Sequence, residues 1–161
     1  MKVTVGGNVP SFEARVPSVW DTLRDVRRMV AGALGDASPE VRDAAVMAAS
    51  ELAENVLKYG AEAEESPVLS VEMRDGRLVV RTENDVASAE RIDDVLAIVE
   101  RIGAHADPVA LYAEAIDARL SLHPSGATRQ GFIRIAAIGE FRITARGQGS
   151  RLFITAEREI P

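Results

Sequence analysis

Four polar side chains follow one another along a single predicted helix, and their types suit the handling of a metal ion and a phosphate. Glu51 and Asn55 are four residues apart, and Lys58 and Tyr59 come three and four residues after Asn55. Side chains at these spacings lie on or near one side of a helix. An Asn oxygen can ligate Mg²⁺, a carboxylate can act as a general base, and an ammonium group can meet a phosphate charge.

The same pattern has a second interpretation that involves no ligand. Glu, Asn and Lys on a helix often form only a solvated face, and Tyr59 suits the edge of a core. Short motifs carry a high risk of false matches, so the spacing alone leaves both interpretations open. The elements that position this helix therefore have to be considered next.

The helix that carries these residues has clear start and stop signals. Ser38 is a good N-cap, Pro39 suits the first helical position, and Glu40 and Asp43 favour the helix dipole. Gly60 is placed to end the helix. Apolar residues at helical spacing form its predicted buried stripe: Val41, Ala44, Ala45, Ala48, Leu52, Val56 and Leu57.

Strands and helices alternate along the rest of the chain. Asp75-Gly76 predicts a hairpin turn, and Gly147-Gln148-Gly149 predicts a second one. Periodicity predicts strands at 12–16, 68–73, 77–82, 141–145 and 152–156, and helices at 18–34, from 88, from 108 and at 130–138. This order favours an α+β fold: a two-layer α/β sandwich with helices on one face of a mixed, mostly antiparallel sheet. With no linker and no repeat, 161 residues predict one domain, 1–161.

Composition argues against several classes of protein and site. A net charge of −6 and scattered basic residues argue against nucleic-acid binding. The absence of cysteine excludes disulfides and thiolate metal sites. The chain has only two histidines, which argues against a histidine-rich metal site. No signal-peptide pattern and no membrane-length apolar run are present, which predicts a soluble, cytoplasmic protein without membrane contact.

The segment Ala49–Gly60 resembles the N-box, the magnesium- and nucleotide-binding helix of GHKL (Bergerat-fold) ATPases and kinases. Its start is similar to anti-sigma-factor serine kinases, and its end is similar to histidine kinases. The chain also resembles this family in the order of its first elements, which are a strand, a helix and the N-box helix. The closing segment, Ser125–Glu157, resembles the family as well. Most of the chain is similar to stand-alone serine/threonine kinases of the SiaB type, on these segments: Thr82–Val86, Leu111–Ala115 and Ser125–Ala136.

The resemblance implies a Mg-ATP-dependent serine/threonine protein kinase of bacterial signalling. Glu51 would be its catalytic carboxylate, and Asn55 would ligate the magnesium ion. Lys58 and Tyr59 would contact the nucleotide, and the helices between Ser88 and Leu120 would stand where the family has a mobile ATP lid. The implied partner is a small regulatory protein, such as an anti-sigma-factor antagonist, or a sigma factor, and a homodimer is expected by analogy.

Two loops depart from the family pattern. After the second hairpin strand, Asn84 or Asp85 would read the adenine, but no glycine follows, and a strand end with a helix cap explains the same residues. The phosphate loop retains Gly126 and Gly131, with Arg129 to supply charge where backbone contacts are lost. An ordinary loop and helix start explain it equally well. Either ATP binds in a modified way, or the chain is a pseudo-kinase that has kept only a protein-binding role.

Overall fold

Six strands form one sheet in the computed structural model, which describes residues 2–6, 14–15, 19–61, 67–120 and 130–160. The strands are β1 Lys2–Gly6, β2 Ala14–Arg15, β3 Val68–Arg74, β4 Arg77–Asp85, β5 Arg142–Gln148 and β6 Arg151–Glu159. Their order in the sheet is β2-β1-β3-β4-β6-β5. β1 and β3 run parallel, and every other neighbouring pair is antiparallel.

The described helices cover one face of this sheet. They are α1 Val19–Ala33, α2 Pro39–Tyr59, α3 Ala89–Ala104, α4 Pro108–Leu120 and α5 Gln130–Ala137. The predicted two-layer sandwich, with a mixed and mostly antiparallel sheet, is therefore confirmed. No helix in the described part of the chain is long and apolar enough to cross a membrane.

Helix α2 lies at the centre of the helical layer because its inner side chains are small. Ala45, Ala48, Ala49 and Ala53 are completely buried. Small side chains let a helix backbone approach its neighbours closely, and α2 contacts α1, α5, β3 and β4. This position brings the polar edge of α2 to the end of β4 and to the start of α5.

Local signals at the ends of α2 and in the first hairpin act as the sequence predicts. The Ser38 hydroxyl accepts a hydrogen bond from the backbone N–H of Val41 over 3.3 Å. Asp75 and Gly76 both have positive φ, 51° and 71°, as a two-residue hairpin turn with the twist of the sheet requires. Gly60 ends α2, but with φ of −64° rather than a left-handed conformation.

Two sequence-based expectations for the strands need correction. The strand β1 was not predicted, and its parallel pairing with β3 joins distant parts of the chain. The last hairpin turns at Gly149-Ser150, so Gly147 lies within β5 instead of in the turn. A Cβ on Gly147 would lie 2.5 Å from Cγ2 of Ile92, so this glycine allows α3 to pack closely on the strand.

The other face of the sheet carries ion pairs and no described helix. Arg77 pairs with Glu157 over 2.5 Å, and Arg151 pairs with Glu83 over 2.8 Å. Arg81 pairs with Glu72 in the same way. Charged side chains in alternate positions on strands are typical of a sheet face in contact with water.

Candidate functional site

Helix α2 presents Glu51 and Asn55 to the first turns of α5. Nη1 of Arg134 in α5 donates to Oε1 of Glu51 over 2.7 Å. A Cβ on Gly131 would lie 2.8 Å from Oε2 of Glu51 and 3.5 Å from Nδ2 of Asn55. Glycine at 131 therefore lets the start of α5 lie directly against the polar face of α2.

A small cavity lies between this part of α2, the end of β4 and α5. Its volume is about 20 Å³, which holds roughly one water molecule. Asn55 and Asn84 contribute amide groups to its wall, and Phe132 and Val86 contribute apolar surface. The complete lining is Asn55, Val56, Tyr59, Asn84, Val86, Arg91, Val95, Phe132, Leu152 and Ile154.

The Asn55 side chain has a buried donor without a partner. Its Nδ2 atom makes no hydrogen bond within the described part of the chain, whereas Nδ2 of Asn84 donates to the backbone carbonyl of Asp85 over 2.9 Å. A buried unsatisfied amide costs about 1–3 kcal/mol of stability. Because Asn55 lines the cavity, an acceptor that entered the cavity and reached this amide would remove that cost.

Strand alternation separates the two residues that were candidates for reading an adenine. Asn84 is only 4% exposed and lines the cavity. Asp85 is absent from the lining, and its Oδ1 atom accepts a hydrogen bond from the Ser150 hydroxyl over 2.6 Å. Its backbone carbonyl accepts from the N–H of Ala61, which ties the end of α2 to β4. Asn84 is therefore the residue of this pair that a cavity ligand would meet.

Lys58 and Tyr59 take different positions at the end of α2. Nζ of Lys58 donates to Glu54, and the lysine side chain is about half exposed and outside the cavity lining. The hydrogen bond to Glu54 is the main reason why the pKa of Lys58 is raised above its ordinary value. Tyr59 lines the cavity, and the guanidinium carbon of Arg91 lies 5.7 Å from its ring centroid, within the range of a cation–π contact.

Of the three remaining site residues predicted from the sequence, one lies in the described part of the chain and two do not. Gly126 and Arg129 lie outside the described residues. Gly131 lies in the first turn of α5, beside Glu51 and Asn55. The structure thus brings together Glu51, Asn55, Tyr59, Asn84 and Gly131, and it leaves Lys58 and Asp85 with other partners.

Sequence reasoning missed the two arginines of this site. Arg134 pairs with Glu51, and Arg91 stands beside Tyr59 at the cavity. Arg134 is the only charged residue between Gly131 and Ala137. A single cation in an otherwise apolar helix was a signal that it meets an anion on a neighbouring element.

The polar groups around the cavity are of the chemical types that bind a nucleotide and magnesium, but the cavity is too small to hold a nucleotide. Among the described residues, no three carboxylate or imidazole side chains are grouped so that they could hold a metal ion. A Mg²⁺ ion needs few protein oxygens when phosphates and water supply the rest, and Asn55 can offer one. The free amide N–H of Asn55 and the helix start at Gly131 suit phosphate oxygens.

Two histidine kinases are among the solved structures to which the chain is similar. The histidine kinase domain from Erythrobacter litoralis EL346 blue-light activated histidine kinase is 11% identical, with a TM-score of 0.46 over 91% of this chain and 63% of that chain. Acinetobacter baumannii histidine kinase AdeS is 13% identical, with a TM-score of 0.45 over 85% of this chain and 64% of that chain.

The chain therefore spans less than two thirds of the length of either kinase structure. No protein-family model and no curated protein matches it. Similarity at this level does not assign an activity, so the functional argument depends on the residues around the cavity.

Proposed function

We propose that this protein is a bacterial signalling regulator of the GHKL type, an anti-sigma-factor-like serine/threonine kinase that binds Mg-ATP beside Asn55. The observation that carries the proposal is the convergence of three elements on one cavity. Asn55 comes from α2, Asn84 from the end of β4, and Phe132 from α5, where the preceding Gly131 lies against Asn55. The unpartnered Nδ2 of Asn55 supports a ligand that accepts hydrogen bonds at this point.

Each side chain has a role that its position supports. Asn55 would hold the metal through its carbonyl oxygen, and Asn84 would meet the polar edge of the base. Glu51 would accept the proton of a serine or threonine hydroxyl on a small partner protein, such as an anti-sigma-factor antagonist. Bound Mg-ATP would supply the phosphoryl group.

Binding of a nucleotide requires an opening at this site. Ligand pockets usually enclose about 300–1,000 Å³, and the described cavity encloses about 20 Å³. The Glu51–Arg134 ion pair and the close approach at Gly131 hold α5 against α2. We therefore expect that the start of α5 must move away from α2 before the ligand enters.

Isothermal titration with ATP and Mg²⁺ tests this proposal directly. The wild-type protein should show saturable heat, and Asn55→Ala should show none because the metal loses its protein ligand. Gln148→Ala is the matched control, since it removes an exposed side-chain amide that lies outside the cavity lining. No saturation by the wild type at millimolar nucleotide would remove the basis for the kinase proposal.

A second candidate is a protein-binding module of the same fold that no longer uses nucleotide. It is favoured by the same closed arrangement, in which Arg134 already neutralises Glu51 and Phe132 occupies the cavity wall. This candidate predicts a melting temperature that Mg-ATP leaves unchanged, and capture of a sigma factor or its antagonist that Asn55→Ala leaves intact. Loss of capture in that variant would count against it.

A further inference from the structure

Strand β5 forms an open edge of the sheet. It is the last strand in the order, and among the described strands it pairs only with β6. Within the described residues, no backbone hydrogen bond joins its outer side to another segment. Apart from Ile143, every residue of Arg142–Gln148 is exposed or half-exposed. An edge of this kind presents a row of free N–H and C=O groups to which another strand can be added.

Two basic side chains lie on the outward face of this edge strand, and Glu157, which lies opposite Arg142 on β6, pairs with Arg77 instead. Arg142 and Arg146 are four residues apart on a strand, so they point to the same face. Neither forms an ion pair with a described carboxylate, whereas the neighbouring arginines on that face do so. The Arg146 guanidinium lies 4.0 Å from the ring centroid of Phe153, which holds it in place beside the edge.

We propose that the β5 edge binds an extended acidic segment of a partner protein as an additional strand. Main-chain hydrogen bonds to the edge would provide affinity, as in other cases of strand addition. Carboxylates at alternate positions of the partner would lie opposite Arg142 and Arg146. The proposal does not depend on nucleotide binding, because β5 lies outside the lining of the Asn55 cavity.

Charge favours such a partner over a second copy of this chain. In an antiparallel pair of two β5 strands centred on Thr144, Arg142 of one copy would lie opposite Arg146 of the other. Like charges directly opposite each other on neighbouring strands are destabilising, whereas opposite charges attract. The edge therefore disfavours self-pairing in this register and favours an acidic strand.

The test uses two synthetic eight-residue peptides without nucleotide, one alternating Thr and Glu and one alternating Thr and Lys. Amide hydrogen exchange is measured across the whole chain. The acidic peptide should slow exchange within residues 142–148, and the basic peptide should not. No slowing at millimolar acidic peptide, or slowing confined to another segment, would overturn the proposal.

A charge-reversed variant shows whether the arginines set the preference. Arg142→Glu with Arg146→Glu should weaken binding of the acidic peptide about tenfold or more and favour the basic one. Arg24→Glu with Arg28→Glu on α1 changes the net charge equally and should leave binding unchanged. An equal loss in both variants would overturn the proposal. The milder Arg142→Gln should weaken binding about threefold, and it provides the same test if the double variant fails to fold.

Discussion

Replacing Arg134 by Met removes the cation that joins α5 to Glu51 and keeps a long, unbranched side chain with good helix propensity. The ion pair spans 2.7 Å, and the Arg134 and Glu51 side chains are 49% and 18% exposed. Exposed ion pairs contribute at most about 1 kcal/mol, and the partial burial of Glu51 puts this pair near that limit. Losing about 1 kcal/mol from the closed arrangement would raise the open population about fivefold.

Isothermal titration with Mg-ATP measures this effect. When the competent state is rare, the apparent Kd falls in proportion to the rise in its population, so Arg134→Met should bind about fivefold more tightly. The same loss should lower the melting temperature by about 2–4 °C. Arg28→Met is the matched control, because it breaks a 3.3 Å pair with Asp25 on α1, far in sequence from the cavity, and it should leave the Kd unchanged.

Unchanged or weaker Mg-ATP binding by a folded Arg134→Met variant would refute this reasoning. Weaker binding would instead indicate that the arginine contacts the nucleotide. Glu51→Gln provides an independent check, because it weakens the same ion pair from the other side. It should therefore tighten Mg-ATP binding while abolishing phosphoryl transfer, if Glu51 is the general base.

Three further predictions concern stability. Asn55→Leu should raise the unfolding free energy by about 1 kcal/mol in urea, because it removes a buried donor without a partner; a loss would contradict this. Gly139→Ala should cost about 1–3 kcal/mol because its Cβ would lie 2.8 Å from a backbone oxygen of α5, whereas Gly103→Ala meets no atom within 4 Å and should not destabilise. The folded-state pKa of Lys58 lies above 10.5, so its stabilising pair with Glu54 is complete below that pH and is lost as pH rises through the folded pKa. Glu54→Gln should remove this alkaline loss in pH-dependent denaturation.

The parts of the fold that sequence predicts well are those with local signals. Ser38 caps α2 through an atom three residues away, and Asp75-Gly76 turns the chain within two residues. The pairing of β1 with β3 has no such signal, because its two strands are separated by both long helices of the N-terminal half. Gly147 shows the same limit of sequence-based prediction. The sequence predicts that it lies in a turn, but in the structure it lies in β5 and allows α3, from another segment, to pack closely on the strand.

The sequence by itself determined that Glu51 and Asn55 share one side of a helix, because helical periodicity is local. It placed Asn84 and Asp85 just after the predicted strand 77–82, but it did not predict that the strand continues through them. Pairing with β6 extends β4 to Asp85, and the strand alternation that results places Asn84 in the cavity lining. Only the tertiary structure decided that Arg134 contacts Glu51 and that the cavity encloses about 20 Å³. Both the contact and the cavity volume depend on distances between elements that are separate in sequence.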